Sequence, residues 1–466
     1  MNEPIKWAMN QMPASEDRQL SVMSTENVAK ASAFHRSFPQ YSITPLAKLD
    51  GMASRLGVGG LYVKDESYRF GLNAFKVLGG SFAMGRYIAQ QMGRDVREMT
   101  YEYLTSAAFR QEFGQATFFT ATDGNHGRGV AWAANKLGQK AVVHMPKGSS
   151  KSRFDNIAKE GAKVTIEEVN YDDCVRMAAA EAAETEHGVV VQDTAWEGYE
   201  EIPAWIMQGY GTMAAEAAQQ LRQVSVNRPT HVFVQAGVGS LAGAVVGYFA
   251  NLFPECPPKF VVMEARAADC LYQGAVAADG APRIVTGDLQ TIMAGLACGE
   301  PNIISWDILR NHVSAFVSCP DWVSARGMRM LGAPVKGDPR VISGESGAVG
   351  MGLLSSIMED EAYKDLREQL ELDKNSQVLM FSTEGDTEPD KYMSITWGGE
   401  YPSVYANKRS SGFCRCSVCS CGCQDSFSSS ASSALASARI RRSALVVSWD
   451  SSNFSNMSGR RRMVRL

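Results

Sequence analysis

Residues 65–80 read Asp65-Glu66-Ser67-Tyr68-Arg69-Phe70-Gly71-Leu72-Asn73-Ala74-Phe75-Lys76-Val77-Leu78-Gly79-Gly80 and connect a short apolar run, Leu61 to Val63, to a helical pattern that ends near Met92. The stretch places Lys76 where the predicted helix begins. Glycines beyond it permit close packing, and a partly desolvated lysine favours the neutral amine that Schiff-base chemistry requires. Because most lysines are solvated surface charges, Lys76 acquires a function only if other stretches converge on it.

The composition indicates a globular protein. The chain has 466 residues, enough for two or three domains, and 45% of them are hydrophobic. Its apolar runs stay shorter than a membrane span, and the segment from Met1 to Lys6 lacks the apolar stretch of a secretory signal. We therefore expect a cytoplasmic protein with no membrane partner.

Charge divides the chain into two parts. The formal net charge is −4, but residues 406–466 carry ten Lys or Arg against two Asp or Glu, an excess of +8 that leaves −12 on residues 1–405. An acidic body argues against a nucleic-acid surface.

Short apolar runs alternate with helical patterns along most of the chain. Since strand and helix taking turns at this spacing predict a parallel sheet covered on both faces, we expect two α/β lobes of parallel or mostly parallel sheet with a ligand cleft between them. Strands are predicted at residues 117–120, 141–144, 163–166, 189–191, 231–235, 260–263 and 377–382, and helices at 126–137, 150–160, 172–184, 203–222, 241–252 and 321–331. The predicted division is an N-terminal arm over 1–40, a large lobe from 41–85 and 195–405, a small lobe over 86–194, and a tail over 406–466.

Two glycine-rich loops each follow a predicted strand and open a helix. Ala121 to Gly129 exposes backbone N–H groups suited to an anion and presents Asp123, Asn125 and His126. Asp and Asn also cap helices, and a histidine at a helix start is often structural, so both interpretations stay open. Gln235 to Gly243 forms the second loop, where a phosphate cradle competes with a plain tight turn.

Two further polar loops follow apolar strands. Asp193 comes directly after Val189 to Gln192 and can serve as an acid or base, or as a structural cap. Ser382 and Thr383 follow the last predicted strand, where a hydroxyl can meet a heterocyclic nitrogen. Four polar loops at strand ends and one candidate lysine are together expected to form one ligand site.

The motifs resemble those of the diaminopropionate ammonia-lyases, pyridoxal-phosphate enzymes of the tryptophan-synthase-β type, also called fold type II. The resemblance covers roughly residues 35–400. The matching stretches are Lys64 to Ser67 with Arg69 to Lys76, Thr122 to Trp132, Gln192 to Tyr199, Gln235 to Gly239, Ile292 to Pro301 and Ile342 to Gly350.

The resemblance implies a role for each candidate residue. Lys76 matches the lysine that binds pyridoxal phosphate covalently, and Asn125 matches the partner of the ring's 3'-oxygen. Asp123 and Asp193 match carboxylates around the substrate amines and the reacting carbon. The remaining cofactor contacts are implied at Gly237, Val238, Gly239 and Ser240 for the phosphate, and at Ser382 or Thr383 for the pyridine nitrogen.

The activity that the resemblance implies is an α,β-elimination of D- or L-2,3-diaminopropionate to pyruvate and two ammonia, in a homodimer. A base on each face of the substrate, Lys76 on one and Asp123 on the other, would let one site accept both enantiomers. Two alternatives stay open: a serine or threonine dehydratase of the same fold, and a non-catalytic sensor that keeps the cofactor. We expect no metal.

Cysteines are used differently in the two parts of the chain. Cys270 and Cys298 lie in predicted loops that can approach each other at the site mouth, and reduced thiols are expected in the cytoplasm. The tail crowds five cysteines into ten positions, but no second Cys or His pair follows at zinc-finger spacing. We predict that residues 406–466 are disordered or non-native sequence, such as the product of a reading-frame shift. The five cysteines of the tail are Cys414, Cys416, Cys419, Cys421 and Cys423.

Overall fold

Two sheets organise the described part of the chain. The computed structural model describes residues 3–122 and 124–403, with Asp172 described by its backbone alone. The strands are β1 (Lys6–Met9), β2 (Leu46–Lys48), β3 (Gly60–Asp65), β4 (Thr117–Ala121), β5 (Lys140–Met145), β6 (Lys163–Ile166), β7 (Gly188–Val190), β8 (His231–Gln235), β9 (Lys259–Ala265), β10 (Val313–Cys319) and β11 (Gln377–Ser382).

Helices connect most of these strands. They are α1 (Thr25–Arg36), α2 (Asp50–Leu56), α3 (Val77–Gln91), α4 (Tyr101–Leu104), α5 (Ala107–Phe113), α6 (Asn125–Lys136), α7 (Lys151–Ala158), α8 (Tyr171–Glu184), α9 (Glu201–Gln223), α10 (Ser240–Leu252), α11 (Cys270–Ala277), α12 (Ile303–His312), α13 (Asp321–Gly332), α14 (Val349–Glu359), α15 (Lys364–Leu370) and α16 (Pro389–Thr396). Within the described ranges, no helix is long and apolar enough to cross a membrane.

The larger sheet has seven strands in the order β1-β10-β9-β8-β11-β3-β2. Its interior strands are parallel, whereas β1 and β2 pair antiparallel at the two edges. The smaller sheet has four parallel strands in the order β6-β5-β4-β7. A mostly parallel sheet places the loops that follow its strands along one edge, which is where such folds bind ligands.

Apolar side chains cover both faces of the larger sheet. Along β11, Leu379 and Phe381 belong to one buried cluster, and Val378 and Met380 belong to another. Successive strand residues point to opposite faces, so this division means that both faces are packed. The prediction of two parallel or mostly parallel sheets with helices on both faces is confirmed.

Helix α6 packs tightly against the start of α3, directly after Lys76. A Cβ on Gly129 of α6 would lie 2.7 Å from the backbone N and Cα of Val77, closer than real Cβ contacts allow. Glycine is therefore required at this position if the start of α3 is to stay where it is. The close approach fixes the position of Lys76, which directly precedes α3.

A buried charge network anchors the stretch that leads to Lys76. Lys64 Nζ lies 2.7 Å from Glu216 Oε2, and Arg69 bonds both Glu66 and Glu216. All four side chains are at most 1% exposed. The network therefore ties α9 to the segment between β3 and Lys76 through paired charges, the condition under which buried ions are tolerated.

The structure also differs from the sequence-based expectations. Two edge strands, β1 and β2, and one interior strand, β10, were not predicted. The predicted arm contains β1, which joins the sheet against Val313–Cys319, and α1, whose Phe34 is buried. Pairing at a sheet edge depends on the partner strand and leaves little local pattern in a segment of four residues. The predicted tail, residues 406–466, lies outside the described residues.

Candidate active site

Lys76 stands at the N-cap of α3 with its side chain directed toward the end of β7. Its Nζ donates a hydrogen bond to Asp193 Oδ2, and the lysine side chain is 23% exposed. The ammonium also lies 5.6 Å from the ring centroid of Phe75 and 5.9 Å from that of Tyr210. The lysine is therefore neither a surface charge nor a fully buried one.

Asp193 collects three polar groups on one oxygen. Besides Lys76, its Oδ2 receives the hydroxyl of Tyr210 at 3.4 Å and lies 3.8 Å from His126 Nδ1. Burial opposes ionisation, but the charge and the hydrogen bond of Lys76 outweigh it and hold the pKa of Asp193 well below its usual range. Asp193 is therefore a carboxylate over the whole physiological pH range.

His126 is the second residue of α6, and its side chain is buried. Its Nε2 lies 2.8 Å from the carbonyl oxygen of Val191, while Nδ1 has no hydrogen-bond partner among the described residues. Burial lowers the pKa of His126, and Lys76 lowers it further, against the opposite pull of Asp193. The ring is therefore neutral at physiological pH.

The loop from Gly237 to Ser240 joins the same site. Gly239 has φ +104°, a conformation that favours glycine, and it caps α10 at its N-terminus. Ser240 Oγ donates to the backbone carbonyl of Asp193 at 2.5 Å and accepts from Asn302 Nδ2 at 2.9 Å. The loop is thus tied to the residue that holds Lys76.

The carboxyl end of β11 is tied to the lysine segment through the backbone. Phe75 N donates to Thr383 O at 3.1 Å, and Gly385 N donates to Asn73 O at 3.1 Å. An isolated antiparallel bridge between Ala74 and Glu384 continues this pairing. The two segments therefore hold each other in register beside the site.

Both hydroxyls predicted at this strand end are buried. Thr383 Oγ1 donates to Glu384 Oε2 at 2.6 Å and accepts from Gln235 Nε2 at 2.8 Å. Ser382 Oγ has a longer contact, 3.5 Å, to the carbonyl oxygen of Glu384. Burial raises the pKa of Glu384, although the hydrogen bond from Thr383 opposes the rise.

The structure brings most of the predicted site residues together. Lys76, Asp193, His126 and Ser240 are joined by direct contacts, and Thr383 reaches the group through the backbone of Phe75. Asn125 begins α6 next to His126. Asp123 lies outside the described residues.

Several functional candidates escaped the sequence analysis. Tyr210 lies in α9, whose apolar pattern indicates a core helix, and its contact with Asp193 depends on tertiary packing. Gln235 was quoted only as the start of a loop, although it bonds Thr383. Ser343 is fully buried, and its Oγ lacks a hydrogen-bond partner among the described residues. The Gly-rich run after Ile342 was the available signal for Ser343.

The predicted approach of Cys270 and Cys298 needs one correction. Cys270 lies at the start of a helix rather than in a loop, and it is buried without a disulfide. Its Sγ lies 3.9 Å from the backbone carbonyl oxygen of Cys298. Burial raises the pKa of Cys270, and the nearby Glu264 raises it further, so this thiol stays protonated.

The residues present fit pyridoxal phosphate. An amine on Lys76 can bind the aldehyde, and the first-turn N–H groups of α10, which lack intrahelical partners, can bind the phosphate. A Cβ on Gly237 would approach Leu296 Cα to 3.2 Å, so the loop passes close to the backbone at Leu296. The hydroxyl of Ser343, which has no hydrogen-bond partner in the described part of the chain, lies beside Gly347 and the strand end that was predicted to face the ring nitrogen.

Comparisons with known proteins agree with this fit. The family model of pyridoxal-phosphate dependent enzymes matches residues 38–384. The chain is 51% identical over 402 residues to the diaminopropionate ammonia-lyase of Salmonella typhimurium, covering 86% of this chain and 99% of the relative. It is 48% identical to the diaminopropionate ammonia-lyase of Escherichia coli, covering 82% and 94% of the two chains.

A solved structure extends the likeness to three dimensions. The crystal structure of the Escherichia coli diaminopropionate ammonia-lyase in complex with D-serine superposes with a TM-score of 0.78 at 45% identity, over 86% of this chain and 98% of that one. The resemblance inferred from the sequence motifs is confirmed. The chain belongs to the diaminopropionate ammonia-lyases, within the pyridoxal-phosphate dependent enzymes.

Proposed function

We propose that this protein catalyses the α,β-elimination of D- or L-2,3-diaminopropionate to pyruvate and two ammonia. The observation that carries the proposal is the pairing of Lys76 with the ionised Asp193 at the end of a parallel strand. Family membership supports the reaction type, since the relatives at about half identity are named diaminopropionate ammonia-lyase. Pyridoxal phosphate supplies an electron sink for the carbanion at Cα.

Lys76 has two tasks in this proposal. Its amine would hold the cofactor, and the same amine would serve as the base for the Cα proton on its own face of the substrate. The position of the amine supports both tasks, because Nζ is held by Asp193 yet keeps an exposed fraction. A neutral amine is needed for each task, so the proton that Nζ carries must leave it first.

Asp193 would bind the second amine of the substrate. Its pKa is depressed, so it stays negatively charged and attracts the ammonium that must leave as ammonia. Its Oδ2 accepts hydrogen bonds from Lys76 and Tyr210 and lies near His126 Nδ1. We assign the substrate ammonium to the other carboxylate oxygen, Oδ1, and a substrate without this amine would gain less from the carboxylate.

Asp123 is proposed as the base on the opposite face, on the sequence resemblance alone. Asn125 is assigned to the ring's 3'-oxygen, and the Gly237, Val238, Gly239 and Ser240 loop to the phosphate. Ser382 or Thr383 is assigned to the ring nitrogen; since Thr383 already donates its proton to Glu384, a Thr383 contact would have the hydroxyl oxygen as acceptor.

The test is an ammonia and pyruvate assay on D- and L-diaminopropionate, with and without added pyridoxal phosphate, beside serine and threonine. We expect turnover of diaminopropionate to exceed that of the hydroxyamino acids. Faster turnover of serine or threonine would replace the proposal by a dehydratase. Binding of the cofactor with no turnover of any amino acid would replace it by a sensor.

Two further expectations, on oligomeric state and location, belong to the same proposal. We infer a homodimer and a cytoplasmic location, both from the sequence resemblance and composition. Light scattering on the purified protein measures the first, and fractionation of cells that express it measures the second. A mass near 50.6 kDa in light scattering would identify a monomer.

A further inference from the structure

The tautomer of His126 is determined by its backbone partner. A carbonyl oxygen can only accept a hydrogen bond, so the 2.8 Å contact with Val191 requires the proton of the neutral ring to be on Nε2. Nδ1 then carries a lone pair. This atom is buried and has no hydrogen-bond partner within the described residues, which is a costly arrangement for a polar group.

The lone pair faces an occupied ion pair. Asp193 Oδ2 lies 3.8 Å from His126 Nδ1 and accepts the hydrogen bond from Lys76 Nζ. Two phenols stand nearby: Tyr210, on Asp193, and Tyr199, on the carbonyl of Val190. Burial raises the pKa of both phenols, so they stay neutral. Lys76 and Asp193 are the described charged groups that act on His126.

One proton can be exchanged among the three side chains without a change in their total charge. With Lys76 as ammonium, Asp193 as carboxylate and His126 neutral, their total charge is zero. Proton transfer from Lys76 to His126 breaks one N–H bond on Nζ and forms one on Nδ1, and it leaves the total charge unchanged. The new N–H points toward the Asp193 carboxylate. Burial disfavours any change of net charge, so this exchange costs less than releasing the proton outward. Transfer to Asp193 would also conserve the total charge, but the depressed pKa of that carboxyl makes it a weaker acceptor than the imidazole.

We propose that His126 stores the proton that Lys76 must release before its amine can react. The inference rests on the proposed function, since it assumes that Lys76 receives pyridoxal phosphate. His126 affects the reaction only through Lys76 and Asp193: it holds the proton of Lys76 and does not itself react with the substrate. While Lys76 is charged it opposes protonation of the ring; once the amine is neutral, that opposition disappears and the attraction of Asp193 remains.

Two substitutions at His126 separate the roles of its nitrogens. In His126→Gln the amide nitrogen can replace Nε2 as donor to Val191 while the basic Nδ1 is lost. His126→Asn places its amide near the Nδ1 position and loses the bond to Val191. His231→Gln is the matched control, because His231 is buried with Nε2 2.8 Å from the carbonyl of Leu370.

The first measurement is the rate at which the apoprotein takes up pyridoxal phosphate, followed by absorbance from pH 6 to 10. We expect His126→Gln to move the pH midpoint of uptake about one unit to the alkaline side, because the amine must then lose its proton to solvent. His231→Gln keeps the wild-type midpoint. An unchanged midpoint in His126→Gln overturns the inference, whereas failure of the wild-type protein to take up the cofactor at all overturns the proposed function instead.

The second measurement observes the proton directly. The chain has six histidines, so ¹⁵N-histidine labelling gives a small set of ring signals, and His126→Gln assigns the one of interest. We expect Nδ1 of His126 to be unprotonated in the apoprotein and protonated once pyridoxal phosphate is bound. A ring that stays neutral in both states contradicts the proposal. If His126→Gln does not fold, His126→Asn supplies the assignment.

Discussion

Lys64 and Lys76 each pair with a carboxylate, and they lie at the two ends of the same segment, but their surroundings differ. The Lys64 ammonium is completely buried and donates to Thr44 O, Glu216 Oε2 and Gln220 Oε1, at 2.7 to 2.9 Å. All three of its protons are used. Lys76 is 23% exposed and has Asp193 as its hydrogen-bond partner among the described residues.

The same contrast separates two buried histidines. Both ring nitrogens of His35 have partners, with Nδ1 2.8 Å from Thr212 Oγ1 and Nε2 3.0 Å from Leu78 O. His126 leaves Nδ1 without one in the described chain. Side chains whose hydrogen-bonding groups are all paired hold the fold together, whereas those with an unpaired group have capacity left for a ligand or a proton.

Replacement of Lys76 gives the largest expected effect. Lys76→Ala should lower turnover of diaminopropionate by about 10³-fold or more, because the covalent anchor and one base are lost together. The free energy of unfolding should fall by about 2 kcal/mol or less, because Asp193 loses its ion pair but both side chains keep partial contact with solvent. Steady-state kinetics and urea titration measure the two quantities, and a variant that keeps a tenth of the activity would contradict the assignment.

Replacement of Glu216 should lower the stability of the fold rather than act first on turnover. Glu216→Gln leaves Lys64 and Arg69 buried with less negative charge, so the free energy of unfolding should fall by about 3–5 kcal/mol. Denaturant titration of the apoprotein measures it. A loss below about 1 kcal/mol would show that the network contributes little, and the comparison between the two lysines would then fail.

Burial of His35 should make the free energy of unfolding depend on pH. Burial, helped by the charge of Arg69, lowers the pKa of His35 to about 3. The unfolded chain takes up this proton below about pH 6.5, but the folded chain does not, so this contribution to stability is present above pH 6.5 and falls as the pH drops toward 3. His35→Gln should flatten that part of the stability profile, measured by urea titration at several pH values. An unchanged slope would exclude His35 as its source.

Tyr210→Phe gives the smallest effect and tests how firmly Asp193 is held. The contact of 3.4 Å is long, so we expect turnover to fall by only about three- to tenfold, with the effect on kcat rather than KM. Tyr248→Phe is the control, since Tyr248 is also buried but lies in α10 beside Phe249. Equal losses in both variants would indicate a general packing effect.

Local pattern predicted those parts of the site that lie where a strand passes into a loop. Lys76, Asp193 and the loop to Ser240 each follow an apolar run or a glycine-rich turn, which is visible within a few residues. Tyr210 could not be found this way, because a tyrosine inside an apolar helix has the same local signal whether it touches Asp193 or core. Its contact with Asp193 arises only when α9 packs beside the loop that follows β7.

The fold was predictable for a similar reason. Interior strands such as β8 and β11 are short apolar runs with turns on both sides, so they are recognisable alone. Strand β1 is polar at one end and pairs with a segment some 300 residues away, and that information is spread over the chain. The charge network of Lys64, Arg69 and Glu216 is equally non-local, although Lys64 and Arg69 were quoted among the family motifs.

The backbone pairing of residues 73–75 with residues 383–385 bears on how this site can change. Because main-chain groups make those bonds, the location of the reactive amine is largely independent of which side chains stand at Ser382 and Thr383. If Ser382 or Thr383 meets the heterocycle as proposed, a library randomised at these two positions would alter that contact while Lys76 stays where it is. A protein engineer could then change the electronic environment of the cofactor separately from its placement.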